Sequence, residues 1–220
     1  MRGSIGGNTH SRSKGGSTVR AKTSPIQQRT THQRASRAQL TNVTNRWSSV
    51  LTAVERSQWN AFALTQPTTN RFGSVVYLSG QQWFNKLNVT ANAITAANYQ
   101  ATPPATGTYP GLISLSVTAT HAAGGTIDIT YAGSPGVGTP YVLIYATQCL
   151  TAGTYYVSSK LKLIGAQPAV DGAHSILSLW KERFGNYAPL TGQKIFVLVK
   201  TANNDDGTSS TPIITDTIVT

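Results

Sequence analysis

Hydrophobic positions along this chain change period about halfway through. Between residues 40 and 54, Leu40, Val43, Trp47, Val50, Leu51 and Val54 stand at offsets 0, 3, 7, 10, 11 and 14, one face of a 3.6-residue helix. Gly and Pro are absent from residue 27 to residue 66. Thr52-Ala53-Val54-Glu55 reads as a capping box, Thr52 as N-cap and Glu55 reaching back. Two helices are predicted, 32–51 and 53–64, with Trp59, Phe62 and Ala63 on the apolar face of the second and Pro67 beyond its end. Residues 72–78 read as a short extended segment or loop. Ser79 is a cap for a third helix, 81–87, anchored by Trp83, Phe84 and Leu87. Residues 88–109, rich in Ala, Thr, Asn and Pro, read as a linker.

From residue 112 the period is two. Leu115, Val117 and Ala119 alternate with polar residues, and so do Ile127, Ile129 and Tyr131. Residues 141–146 form a continuous apolar run, as expected of a central strand. Further strands are predicted at 154–157, 161–164, 176–180, 193–200 and 213–219, with a polar hairpin loop at 203–210 containing Asp206-Gly207. The stretch 176–180 is also short enough to be a helical turn. Strands at this density with frequent turns suit an all-β sandwich. The run 141–145, the run 192–197 and the terminal Gly207, Pro212 and Val219 resemble a fibronectin type III or immunoglobulin-like domain. The Cys…Trp…Cys signature of antibody domains is absent. The expected fold class is α+β, mainly β: an extended basic arm (1–31), a helical anchor segment (32–88), a linker (89–111) and a β-sandwich (112–220).

Charge sharpens this division. The chain has 220 residues with 18 Lys plus Arg against 7 Asp plus Glu, a net charge of +11, yet only 11% of residues are charged. Nine bases and no acid precede Glu55: Arg2, Arg12, Lys14, Arg20, Lys22, Arg29, Arg34, Arg37 and Arg46. From Phe72 onward seven bases meet six acids. A polar arm with few apolar residues cannot offset its ordering entropy alone, so it is expected to be held by a partner. Its bases are dilute for a nucleic-acid tail and lack interleaved aromatics, which favours acidic protein surfaces over DNA, with DNA contact the rival reading. Trp47, Trp59 and Trp83 are either a small helical core or anchors for a neighbouring subunit.

Catalytic chemistry is scarce. His10, His32, His121 and His174 show no metal-ligand spacing. Asp171 and His174 are the one close acid–His pair, without a nucleophile in register. Cys149 reads as a small hydrophobe. Asp205-Asp206 fits a hairpin turn better than a cation site. Gly6-Gly7 and Gly15-Gly16 lack the context of a phosphate loop. Asn42 and Asn88 open sequons that matter only in a secreted protein. No apolar run spans a membrane and no signal-peptide core is seen. No enzyme activity, cofactor, metal or small-molecule substrate is expected.

One further resemblance bears on function. Gly15-Gly16, Val19-Arg20, Pro25, the run Thr31-His-Gln33-Arg34-Ala-Ser-Arg37, Trp47, Leu51-Thr52, Arg56 and Trp59, followed by Leu78-Ser79-Gly80 and Phe84-Asn85, resemble structural proteins of tailed bacteriophages and prophages. The resemblance implies a virion component, made in the bacterial cytoplasm, that binds other virion proteins such as capsid or connector and tail subunits. An auxiliary or decoration protein of the head is the first expectation, and a neck, collar or tail protein the second.

Overall fold

The computed structural model describes residues 3–5, 7–13, 16–21, 30–70, 72–96, 98–136 and 138–220. The chain is α+β and mainly β, with four α-helices and several antiparallel sheets among the described residues. It divides into two compact units, Met1–Ala38 and Gln39–Thr220, and the division falls within the first helix.

In the first unit, β1 (Gly3–Ile5), β2 (Asn8–Ser13) and β3 (Gly16–Ala21) form an antiparallel sheet in the order β1-β2-β3. The described residues of the expected extended arm therefore pair with one another as two successive hairpins. His10 lies opposite Gly3 on one side and Val19 on the other. Helix α1 (Thr31–Ser49) begins in this unit.

The second unit combines helices with a β body. Helix α2 (Ala53–Thr65) starts at Thr52, whose hydroxyl accepts from the Glu55 N–H at 3.2 Å while the Glu55 carboxylate accepts from the Thr52 N–H at 2.7 Å. Pro67 opens a small hairpin, β4 (Pro67–Thr69) with β5 (Val75–Tyr77). Helix α3 (Gly80–Ile94) starts at a second capping box, Ser79 with Gln82. It is two turns longer than expected, because nothing in residues 88–94 breaks a helix. The predicted linker is thus helix at its start, and the rest packs down, with Tyr109 buried.

Not all of the expected helical face is buried. Val43 and Leu51 are buried, but Leu40 is 51%, Val50 60% and Val54 67% exposed. The break between α1 and α2 resets the phase, so one continuous stripe across both helices cannot form.

In the β body, a three-stranded sheet has the order β10-β7-β6 and a four-stranded sheet the order β12-β11-β8-β9. The strands are β6 (Ser114–Thr120), β7 (Thr126–Ala132), β8 (Pro140–Ala146), β9 (Lys162–Pro168), β10 (Gly172–Ser175), β11 (Lys194–Asn203) and β12 (Ile213–Ile218). The two sheets bury one shared core, with Ile127, Ile129 and Tyr131 from one and Val142, Ile144, Ile195, Val197 and Val199 from the other. At one end Thr220 joins them, donating to the Ala119 carbonyl at 3.1 Å and accepting from the His121 N–H at 2.7 Å.

Two expected strands differ. Residues 154–157 are loop. The 176–180 stretch starts helix α4 (Leu177–Phe184), whose Trp180 is fully buried and donates its indole N–H to the Thr147 carbonyl at 2.8 Å. Strand β10, just before it, has no alternating apolar pattern to announce it.

Candidate interaction surfaces

The first unit contains eight bases and no acid. Arg20 on β3 and Arg34 and Arg37 on α1 are exposed. Arg12 lies on β2, while Arg2, Lys14, Lys22 and Arg29 lie outside the described residues. No residue of this unit whose side chain is described is buried. The hydroxyls of Ser11 and Thr18 bond across the β2–β3 pair at 2.7 Å, and Val19 is 60% exposed. This three-stranded sheet has ladder hydrogen bonds but buries none of the side chains described, and such sheets need packing against something to be stable.

The three tryptophans meet within the second unit. Trp59 is fully buried, Trp83 nearly so, and Trp47 half-buried. Phe84 stands edge-on to Trp59 at 5.4 Å and tilted against Trp47 at 5.5 Å, and Phe62 is edge-on to Trp83 at 5.6 Å. Each such pair contributes about 0.5–1.5 kcal/mol beyond its buried area. The Trp59 indole donates to the Ala101 carbonyl at 2.7 Å. Trp59 and Trp83 are therefore core residues of this chain, and Trp47 packs against the same cluster with part of its surface open.

The residues with latent chemistry have structural partners. The Asp171 carboxylate accepts from the N–H groups of Gly133 and Ser134 at 3.0 and 2.8 Å. His174 stacks on Tyr131 at 4.9 Å, with Nε2 2.6 Å from the Val170 carbonyl. Asp205 accepts from the Thr139 hydroxyl at 3.0 Å, and Asp206 accepts from the Thr208 N–H at 2.9 Å within its own turn. Burial pushes the Cys149 thiol pKa up. Asn88, head of the second sequon, is fully buried and accepts from the Gln100 N–H at 2.6 Å. Among the described residues there is no group of three or more His, Cys, Asp or Glu that could hold a metal, and no helix long and apolar enough to cross a membrane.

Sequence reasoning missed one surface, the outer face of the four-stranded sheet. Strand alternation turns Ile195, Val197 and Val199 inward, so Lys194, Phe196, Leu198 and Lys200 point outward. Leu198 lies opposite Ile214 on one side and Tyr145 on the other. One end of this face is covered by α3, which contacts β9 and β11, and Leu143 is buried there. The other end is open. It holds a groove of about 280 Å³ lined by Tyr155, Tyr156, Val157, Ser158, Leu161, Leu198 and Ile214. Tyr155 is 81% and Tyr156 89% exposed. The one local hint was the adjacent pair of large rings, Tyr155-Tyr156, in a stretch that the structure shows to be loop rather than the expected strand.

Compared with models of protein families and with curated proteins, the chain matches none.

Proposed function

We propose that this chain is a non-enzymatic structural component of a tailed-bacteriophage particle, an auxiliary or decoration protein of the head that docks on other virion proteins through its basic N-terminal segment. The observation that carries this reading is the first unit: eight bases, no acid, and no buried residue among those whose side chains are described. Such a segment, paired within itself but without buried side chains among those described, would gain stability by packing on an external surface of opposite charge. Docking by this route keeps the free chain from associating before assembly.

The β body supports the reading. With β6, β7, β8, β9, β10, β11 and β12 named A, B, C, C′, E, F and G, its sheets run E-B-A and G-F-C-C′. This order supports the fibronectin type III-like reading, a module suited to projecting from or bracing a shell. The fold alone does not specify a function, so the particle assignment rests on the basic unit and on the phage-protein resemblance of residues 15–88. A neck, collar or tail position is the second place within the same class.

DNA is the rival surface for the basic unit, favoured by the Ser, Thr and Asn side chains around the bases. It requires retention on duplex DNA that falls steeply as salt rises from low to physiological concentration. The proposal itself is tested by mass spectrometry of particles purified from a lysate of the encoding phage or induced prophage. The chain is expected in intact particles at a fixed ratio to the capsid protein. Its absence from them would reject the assignment.

A further inference from the structure

On the outer sheet face, the open groove and two lysines lie side by side. Leu198 forms part of the groove floor, and Lys200, two residues on along β11, points the same way. Lys86 reaches this area from α3, where its ammonium group lies 4.1 Å from the centre of the Trp83 ring. The Lys200 ammonium lies 3.5 Å from the Ser209 hydroxyl and 6.0 Å from the Tyr145 ring centre. Among the described residues neither lysine forms an ion pair. Lys194, on the same strand, is neutralised by Asp216 at 2.9 Å.

Both free lysines are held in an unfavourable setting. Burial pushes the Lys86 pKa down, and Lys200 is pushed down by burial first and then by the like charge of Lys86. A carboxylate set between them would offset the like-charge repulsion and give both ammonium groups an ion-pair partner. The groove asks for something different. Its walls are mainly aliphatic and aromatic, with the hydroxyls of Ser158 and the two tyrosines as the polar side-chain groups, so an inserted polar group would find few partners for the water it loses. A nucleobase carries more polar edges than these hydroxyls can pair, whereas an aliphatic or aromatic side chain needs none.

Turn hydrogen bonds flank the two tyrosines in the loop before β9. Val157 is buried beneath it, Thr154 donates to the Thr151 carbonyl at 2.9 Å, and Lys160 donates to the Val157 carbonyl at 2.8 Å. Exposed tyrosines at the rim of a mainly apolar groove fit the anatomy of a protein-docking hot spot.

We propose that this face is a second docking surface, which takes an acidic segment of a partner protein, with an apolar side chain seated in the Leu198–Ile214 groove and a neighbouring Asp or Glu carboxylate between Lys86 and Lys200. The proposal is independent of the N-terminal unit and stands whether or not the chain belongs to a particle.

A random peptide library displayed on beads and panned against the purified full chain tests it. Enriched peptides should carry an aliphatic or aromatic residue flanked by Asp or Glu. Their affinity should fall about tenfold or more for Lys200→Met and for Lys86→Met, and binding should be lost for Ile214→Glu. Ile214 is half-exposed on an outer strand, and circular dichroism checks that each variant stays folded. The proposal is overturned if no peptide enriches, if enriched peptides are basic, or if the three variants bind as the parent does. Binding of single-stranded oligothymidylate that is lost in Tyr155→Ala would also overturn it, in favour of a nucleic-acid surface.

Discussion

Gly207 packs directly on the backbone carbonyl of Leu87, so the turn between β11 and β12 touches α3 without a side chain between them. A Cβ at Gly207 would collide with that oxygen, and the backbone there has a φ of 73°, which L residues rarely adopt. Around the same contact, Asn98 donates to the Asn204 carbonyl and the Thr201 hydroxyl donates to the Pro110 carbonyl. These bonds join the segment that follows α3 to the β body. Gly207→Ala should therefore destabilise the protein by roughly 2–4 kcal/mol, combining backbone strain with overpacking. Urea denaturation of the variant and parent measures it. A loss below 0.5 kcal/mol would mean that the turn moves away freely.

Removing the second capping box should be milder. Ser79 accepts from the Gln82 N–H at 3.3 Å, and the Gln82 side chain accepts from the Ser79 N–H at 2.8 Å. Ser79→Ala should cost about 1 kcal/mol by the same measurement.

The first capping box has a pH signature. Backbone and side-chain hydrogen bonds from Thr52 lower the Glu55 carboxyl pKa. A group whose folded pKa is depressed contributes stability above its unfolded pKa and loses it as pH falls through the folded value. Glu55→Gln should be less stable than the parent at neutral pH. The difference should shrink to nothing as pH drops below the ordinary carboxylate range, because a protonated Glu55 then resembles the amide. A difference that persists at the acid end would contradict this.

In the β body, Trp180 combines full burial with one indole hydrogen bond. Trp180→Phe leaves the Thr147 carbonyl without its indole donor and opens space beside Phe184 and Tyr187, whose rings lie 5.6 and 5.0 Å from that of Trp180. The expected loss is about 2–3 kcal/mol.

Cys149 should alkylate slowly. Its raised thiol pKa means less thiolate at neutral pH than a free cysteine carries. Iodoacetamide labelling should be several-fold slower than for a small thiol at pH 7, and should recover to the ordinary rate in urea.

Much of this fold was legible in the chain. Thr52 marked a helix start because its partner Glu55 stands three residues on, the spacing the cap requires, and Ser79 marked another as a cap residue, its box with Gln82 being seen in the structure. Ile127, Ile129 and Tyr131 marked a half-buried strand by strict alternation. What escaped was short or set by tertiary contact. Five residues from Ile176 to Trp180 complete neither period clearly, and packing of Trp180 decides for helix. Strand β10 exists because it pairs with β7, not because of its own pattern. The outer-face groove depends on the register that sets Ile214 and Tyr145 on either side of Leu198, which no local pattern encodes. Of the candidate partner residues, Arg20, Arg34 and Arg37 are exposed, whereas Trp59 and Trp83 are packed away from any partner.

The central claim is that the basic N-terminal segment docks the chain in a particle. Its most direct test compares particles assembled with the full chain and with a chain lacking residues 1–31, each quantified against the capsid protein. The truncated chain is expected to be absent from particles while its far-ultraviolet circular dichroism and urea transition remain those of a folded β body. Truncated chain found in particles at the parental ratio would contradict the claim.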